Sequence, residues 1–213
     1  MTKVEVWGNL GCFTRHESGA ERRTYDVMTP SAAAGILESI FWHPGVLYRI
    51  DRIYVLMKSI RKIIIMRNER KTLKPATNMG DFEENHSQGT VEALYQPHYL
   101  IEAHMTIDWD LIGDRDREAG ANRALGKYYG MFEERLKKGA CAHQPYFGYK
   151  EFTANFAPWP EDKSIQTLPL DINLGPMLHH IRYGKKPKEN RPVMFQAELT
   201  NGVLECAEGY QNA

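Results

Sequence analysis

The run TYDVMTPSAAAGILESIFWHPG, from Thr24 to Gly45, holds one bounded helix between extended stretches. Thr29 is a natural N-cap and Pro30 suits the first helical position. Ala33, Ile36, Leu37, Ile40 and Phe41 recur at the three-to-four spacing of a single apolar stripe, so Ser31 to Trp42 reads as a helix. Pro44 and Gly45 stop it. The consecutive alanines Ala32 to Ala34 keep it thin enough to lie close to a sheet.

Extended runs surround this helix. Val4 and Val6 alternate with Lys3 and Glu5 in a first strand, and Tyr25 to Met28 return to an extended run after a polar loop. Val46 to Met57 and Ile60 to Arg67, rich in Ile, Val and Tyr, read as a β-hairpin joined at Lys58 and Ser59. Arg70 to Gln88 reads as a long charged loop, and Thr90 to Asp108 as a strand pair broken at Pro97. Ala119 to Lys138 reads as a second helix, with Leu125, Tyr128, Tyr129, Phe132 and Leu136 near the helical period and Gly139 at the C′ position. Gln144 to Phe152 reads as extended. Leu168 to Asn173, Met177 to Arg182 and Val193 to Glu198 are the remaining candidate strands.

The order β, α, β, β, then β, α, β predicts an α+β chain with a ferredoxin-like N-terminal domain. We expect residues 1–140 to form that domain and residues 141–213 a small β-rich C-terminal portion. Two helices and many strands exclude a bundle, and no glycine fingerprint precedes the first helix as a Rossmann domain requires.

The 213 residues carry 27 basic and 27 acidic side chains, so the chain is no simple basic coater of nucleic acid. The charge is uneven. Nine Lys or Arg lie between Arg49 and Lys74 against Asp51 and Glu69, with Tyr48 and Tyr54 beside them. Basic strands with adjacent aromatics can hold a phosphate backbone and stack bases, although a solvated hairpin has the same pattern. A second cluster, Arg182, Lys185, Lys186, Lys188 and Arg191, could clamp phosphates or form an ordinary solubilising turn.

The three cysteines are widely spaced and suggest neither disulfides nor a zinc knuckle. His179 and His180 are adjacent, so on a strand they should face opposite sides. His98 and His104 could share a face, but no carboxylate pattern completes a metal site. There is no nucleophile elbow and no phosphate loop. No signal-peptide pattern and no run near membrane-spanning length occur, so a cytoplasmic protein with no membrane partner is expected.

RNA can be cut without a metal if a base deprotonates the ribose 2′-hydroxyl, an acid protonates the leaving oxygen and a cation steadies the phosphate. His43, just after the first helix, and Lys127, beside Tyr128 and Tyr129 in the second, are side chains of the right type.

Long, ordered segments carry a specific resemblance. WGNLGCFTRHESGAERRTYDVMTPSAAAGILESIFWHPG, YRIDRIYVL, MRNER and GKYYGMFEERLKKGACAHQPYFGYKEF, with the final third, resemble the Cas-five-type CRISPR-associated proteins of subtype I-C. The likeness spans nearly the whole chain. It implies an RRM-like domain of the repeat-associated RAMP class. It also implies an endoribonuclease that cuts the repeat hairpin of precursor CRISPR RNA without metal or cofactor, leaving a 2′,3′-cyclic phosphate. The partners implied are the repeat hairpin, the mature guide RNA and the other subunits of the type I-C interference complex. Some members also act as metal-dependent DNA nucleases.

The family's cleavage residues are a tyrosine in an IYW segment and a Lys-His pair in a GKH segment. Phe41 in IFW stands at the first position, and Lys127 and Tyr128 in GKYYG at the pair, so the lysine alone is kept. His43 is the nearby imidazole, and Tyr128 or Tyr129 can supply a hydroxyl. Either the chain cleaves through these substitutes, with Lys127 on the phosphate, or it binds repeat RNA as a scaffold with feeble cleavage. Arg15, Arg22 and Arg23 would meet the RNA from the first loop, and Arg67, Arg70, Lys71 and Lys74 would line the groove.

Overall fold

The computed structural model describes residues 1–18, 21–70, 86–182 and 187–210. It is a mixed α/β structure whose strand ladders, among the described residues, are all antiparallel. The strands are β1 (Thr2–Gly8), β2 (Leu10–Gly11), β3 (Val46–Val55), β4 (Lys62–Arg70), β5 (His86–Tyr95), β6 (His98–Ile107), β7 (Ala154–Pro158), β8 (Ile172–Arg182), β9 (Arg191–Thr200) and β10 (Val203–Glu205). The helices are α1 (Pro30–Ile40), α2 (Asp114–Ala119) and α3 (Ala121–Lys138). One sheet has seven strands in the order β7-β1-β6-β3-β10-β9-β8, and a second has three in the order β2-β5-β4. Among the described residues no helix is long and apolar enough to cross a membrane.

α1 starts as its cap dictates. The Thr29 side chain accepts from the Ala32 N–H at 3.2 Å, a contact whose loss costs about 1 kcal/mol. Ala33, Ile36, Leu37 and Ile40 are buried, and each large aliphatic side chain so buried contributes about 1.5–3 kcal/mol. The helix ends at Ile40. Phe41 is already extended (φ −144°, ψ 120°), which places Phe41 and Trp42 outside the helix expected to hold them. Gly45, at φ +80°, turns the chain into β3, where a Cβ would meet the Asp108 carbonyl at 2.9 Å.

The expected hairpin does not form. Val46, Tyr48, Ile50, Ile53 and Val55 are buried, so β3 sits inside the large sheet between β6 and β10, with a register shift between Ile50 and Arg52. β4 crosses to the small sheet and pairs with β5, leaving Ile64 and Met66 exposed. Leu56 N–H donates to the His98 carbonyl just before the crossing. β5 and β6 divide between the sheets in the same way at Gln96–Pro97, where Gln96 takes φ +51°.

Other expectations shift too. Tyr25 to Met28 form no strand; the bridges nearby are Thr14 to Thr24 and Arg22 to Val91. The segment 144–152 is turn rather than strand, and β7 follows it. Residues 168–171 precede β8, which runs unbroken from Ile172 to Arg182, and the short β10 was not foreseen. The strands extend to Arg70 and from His86, so less of 70–88 is loop than expected; residues 71–85 lie outside the described residues. The helix expected over 119–138 forms as α3 from Ala121, and Gly120 (φ +83°, ψ 160°) separates it from the short α2, which the sequence reading did not include. Gly139 ends α3 in the left-handed region at φ +63°.

Candidate active site

Ala124, Tyr128, Phe132 and Leu136 form the buried stripe of α3, and Phe132 packs 5.6 Å from Tyr48 of β3. One turn of that stripe decides the site. Tyr128 points inward beneath the end of α1, its ring 6.2 Å from Phe41 and 4.6 Å from His43. Lys127, the neighbouring residue, projects outward and is half exposed.

Asp116 of α2 joins them. Lys127 Nζ donates to its two carboxylate oxygens at 2.9 and 3.1 Å, and the Tyr128 hydroxyl donates to Oδ2 at 2.5 Å. His43 Nε2 lies 3.4 Å from the same hydroxyl. The Asp116 carboxylate is held below its usual range, first by the Tyr128 hydrogen bond and then by Lys127. Burial and then the bond to Asp116 push the Tyr128 phenol up to about 12, so it stays protonated at neutral pH. His43 Nδ1 is 2.9 Å from the Pro44 carbonyl, which can only accept. The proton of the neutral ring therefore sits on Nδ1, and Nε2 presents a lone pair.

Lys127, His43, Tyr128 and Phe41, named from the sequence, thus come together. Phe41 is buried beside the cluster with no hydroxyl to contribute. Tyr129 turns away: its hydroxyl accepts the Met105 N–H of β6 at 2.7 Å. Asp116 was missed, because DRDRE is a short charged run with no apolar period. Its cue was position alone, one short helix and a glycine before the lysine.

Of the side chains expected to meet RNA, Arg22 and Arg67 come together at one aromatic ring. Arg22 lies 4.8 Å and Arg67 6.0 Å from the Tyr149 ring centroid, and Arg67 Nη2 donates to Glu151 at 2.6 Å. Arg15 pairs with Glu17 at 2.6 Å, and Arg23 with Glu21 at 2.8 Å. Such exposed pairs are worth about 0–1 kcal/mol and exchange readily for phosphate. Arg70 ends β4, but its side chain, Lys71 and Lys74 lie outside the described residues, as do Lys185 and Lys186.

A trough runs from Tyr149 along α1 to Trp42, the residue before His43, while Asp116 and Lys127 line a separate cavity with Arg115 and Arg123. One cavity of about 390 Å³ runs between Thr14, Ser31 and Tyr149. A second of about 780 Å³ reaches Trp42 and His143, and both share Gly35, Ser39 and Tyr146. The trough's floor is the exposed face of α1, where nothing lies within 4 Å of a Cβ on Gly35. The stretch the two cavities share is small, polar and aromatic, and Glu38 and Lys150 line the second.

The histidines weighed as metal ligands sit elsewhere. His98 bonds Glu5 and His104 bonds Asp51, each at 2.9 Å. His179 and His180 do not diverge as an ordinary strand requires. A register shift between Leu178 and His180 brings their Nδ1 atoms within 2.8 Å, and His179 Nε2 donates to the Cys206 carbonyl. Among the described residues no group of three or more His, Cys, Asp or Glu could hold a metal ion.

Residues 1–206 match the model of the CRISPR-associated protein family Cas5, of the Cas5d kind. The chain is 35% identical to a protein of Mannheimia succiniciproducens named CRISPR pre-crRNA endoribonuclease Cas5d, over 98% of this chain and 95% of that one. It is 36% identical to a Thermus thermophilus protein of the same name, over 98% and 93%. Two crystal structures share the fold. One, of a CRISPR-associated protein, has a TM-score of 0.69 at 19% identity, over 96% of this chain and 90% of that one. The other, of a functionally uncharacterized Streptococcus mutans protein, has a TM-score of 0.68 at 17% identity, with the same coverage. A near-complete family match and two full-length relatives above 30% identity leave one assignment: this chain belongs to the Cas5 family of CRISPR-associated proteins, in its Cas5d branch.

Proposed function

We propose that this chain is an endoribonuclease that cuts precursor CRISPR RNA at the repeat hairpin, without a metal, and then stays with the guide RNA as a subunit of the type I-C interference complex. The observation that carries the reading is the meeting of His43, Lys127 and Tyr128 at the end of α1, from segments about 85 residues apart. The names of the Mannheimia and Thermus relatives support the substrate and reaction class.

The chemistry follows from the atoms present. His43 Nε2 takes the proton of the ribose 2′-hydroxyl, and the resulting oxygen attacks the adjacent phosphorus. Lys127 leaves Asp116 for the charged phosphate and gives a proton to the 5′-oxygen as its bond to phosphorus breaks. A 2′,3′-cyclic phosphate and a free 5′-hydroxyl result. The RNA backbone follows the α1 trough, with Arg22, Arg67 and Tyr149 gripping one end and the catalytic group at the other. Arg15, Arg23, Arg70, Lys71 and Lys74 belong to the same proposed contact surface.

The fold reading is part of this proposal. Taking β1, β3, β6 and β7 as successive strands, the sheet order β7-β1-β6-β3 is 4-1-3-2, with α1 and α3 as the crossover helices, which supports a ferredoxin-like unit. Residues 1–140 hold its first three strands and both helices, β7 completes it, and the rest of 141–213 forms the β-rich extension.

A second reading, an RNA-retaining subunit with feeble cleavage, draws support from Phe41, buried and without a hydroxyl, and from a Tyr128 hydroxyl engaged by Asp116. Incubation of the protein with cognate repeat RNA in EDTA separates the two on a denaturing gel. A cyclic-phosphate product supports the enzyme. Intact RNA at saturating protein supports the scaffold, and cutting of DNA that depends on added Mg²⁺ would replace both with a nuclease of another kind.

A further inference from the structure

The geometry points to Asp116 as a positioning residue that keeps the His43 base open by fixing the direction of the Tyr128 hydroxyl proton; this rests on the ribonuclease reading above. The phenol has one proton and two acceptors in reach, Asp116 Oδ2 at 2.5 Å and His43 Nε2 at 3.4 Å. Nε2 is an acceptor because the Pro44 carbonyl holds the ring proton on Nδ1. The carboxylate is both nearer and charged, so it takes the phenol proton. The imidazole lone pair is left for the substrate.

Before RNA binds, the carboxylate is itself held in place. Lys127 Nζ contacts both of its oxygens, and the Asp116 side chain is 16% exposed. α2 delivers it from the far side of Gly120, whose φ of +83° folds residue 116 back over residues 127 and 128. A simpler account makes Asp116 only a staple between α2 and α3. The two accounts differ in what the hydroxyl does once the carboxylate is gone. If Asp116 is a proton director, the freed phenol turns to His43 Nε2 and caps the base. Removing the hydroxyl as well should then uncap it. If Asp116 is a staple, losing a further contact can only do more harm.

Single-turnover cleavage of repeat RNA by Asp116→Ala and by Asp116→Ala/Tyr128→Phe tests this. The expected result is a rate about 100-fold below the parent for Asp116→Ala, the scale of a lost base, with KM little changed. The double variant should recover at least about tenfold of that loss, which no staple would allow. A double variant no faster than Asp116→Ala overturns the inference. Imidazole ¹⁵N spectra of the free proteins read the same proton without RNA. His43 Nε2 should shift towards a hydrogen-bonded acceptor in Asp116→Ala and return in the double variant, and no movement overturns the inference even if the parent proves not to cut. A parent without cleavage but with these shifts removes the ribonuclease reading and leaves the proton geometry standing.

Discussion

Arg135 Nη1 donates to the Ile40 carbonyl at 3.2 Å, and its guanidinium lies 5.6 Å from the centroid of the Phe41 ring. One side chain of α3 thereby satisfies the last carbonyl of α1, places a cation at that helix's negative end and covers the residue next to the site. The two helices that carry the candidate catalytic groups are joined at the point where the chain leaves α1 for His43.

Arg135→Ala should therefore loosen the site as well as the fold. The lost charge-assisted bond costs about 1–2 kcal/mol, and the melting temperature should drop by about 2–6 °C. Cleavage should fall further than stability accounts for, because His43 follows the freed helix end. Melting curves and cleavage rates on the same preparations check both, and an unchanged rate would show that the end of α1 is held by other contacts.

His43→Ala and Lys127→Ala should each lower the cleavage rate on the order of 100-fold or more. Hairpin binding should change less, since neither residue belongs to the Arg22–Arg67 group. Filter binding beside single-turnover kinetics separates the two quantities. Unchanged rates in both variants would remove the proposed chemistry.

Arg67 is shared between Tyr149 and Glu151. Arg67→Ala should weaken hairpin binding and reduce the slope of log affinity against log salt by about 1, the signature of one lost phosphate contact. Glu151→Gln should do the reverse at low salt, because it frees Arg67 and removes a charge that repels RNA. Equal slopes in all three proteins would place the RNA elsewhere.

The His179–His180 pair should make stability depend on pH. Burial first, then His179, Arg49 and Arg182, lowers His180 to about 4, and burial also lowers His179. The unfolded imidazoles titrate near 6.5, so below that pH the unfolded chain binds protons that the folded one resists. The contribution is complete above about pH 6.5 and is lost as pH falls towards about 4; with solvent screening it amounts to about 1–2 kcal/mol for the pair. Urea midpoints at pH 7.5 and 5 should differ by less in His180→Gln than in the parent.

Gly148→Ala should destabilise the fold by about 3 kcal/mol or more. Its φ is +81°, and a Cβ would overlap the Cys12 carbonyl. Relief of that overlap stretches the Cys12 N–H bond to the Phe147 carbonyl and should move the adjoining Tyr149 away from Arg22 and Arg67. Denaturant titration checks the first effect, and hairpin binding by the folded fraction checks the second.

Local rules read correctly where the cause was local. The Thr29 cap, the α1 stripe, the Tyr128–Phe132–Leu136 face and the Gly139 stop each depend on residues within a turn or two. The pairing of β3 and β4 did not read correctly, because Lys58 and Ser59 look like a hairpin turn and the true partners are β6, β10 and β5. His43 and Lys127 were visible as side chains of a suitable kind, and their pairing came from the resemblance to the family.

What the sequence determined by itself was the two long helices with their caps, most of the strands and, through long ordered motifs, the family, since period and capping act over a few residues. The tertiary structure alone decided that β3 and β4 lie in different sheets, that α1 floors a trough, and that Asp116 stands between Lys127 and the Tyr128 hydroxyl. Those relations depend on burial and on glycine-directed turns between segments far apart in the chain, and no periodicity in the sequence encodes the distance between them.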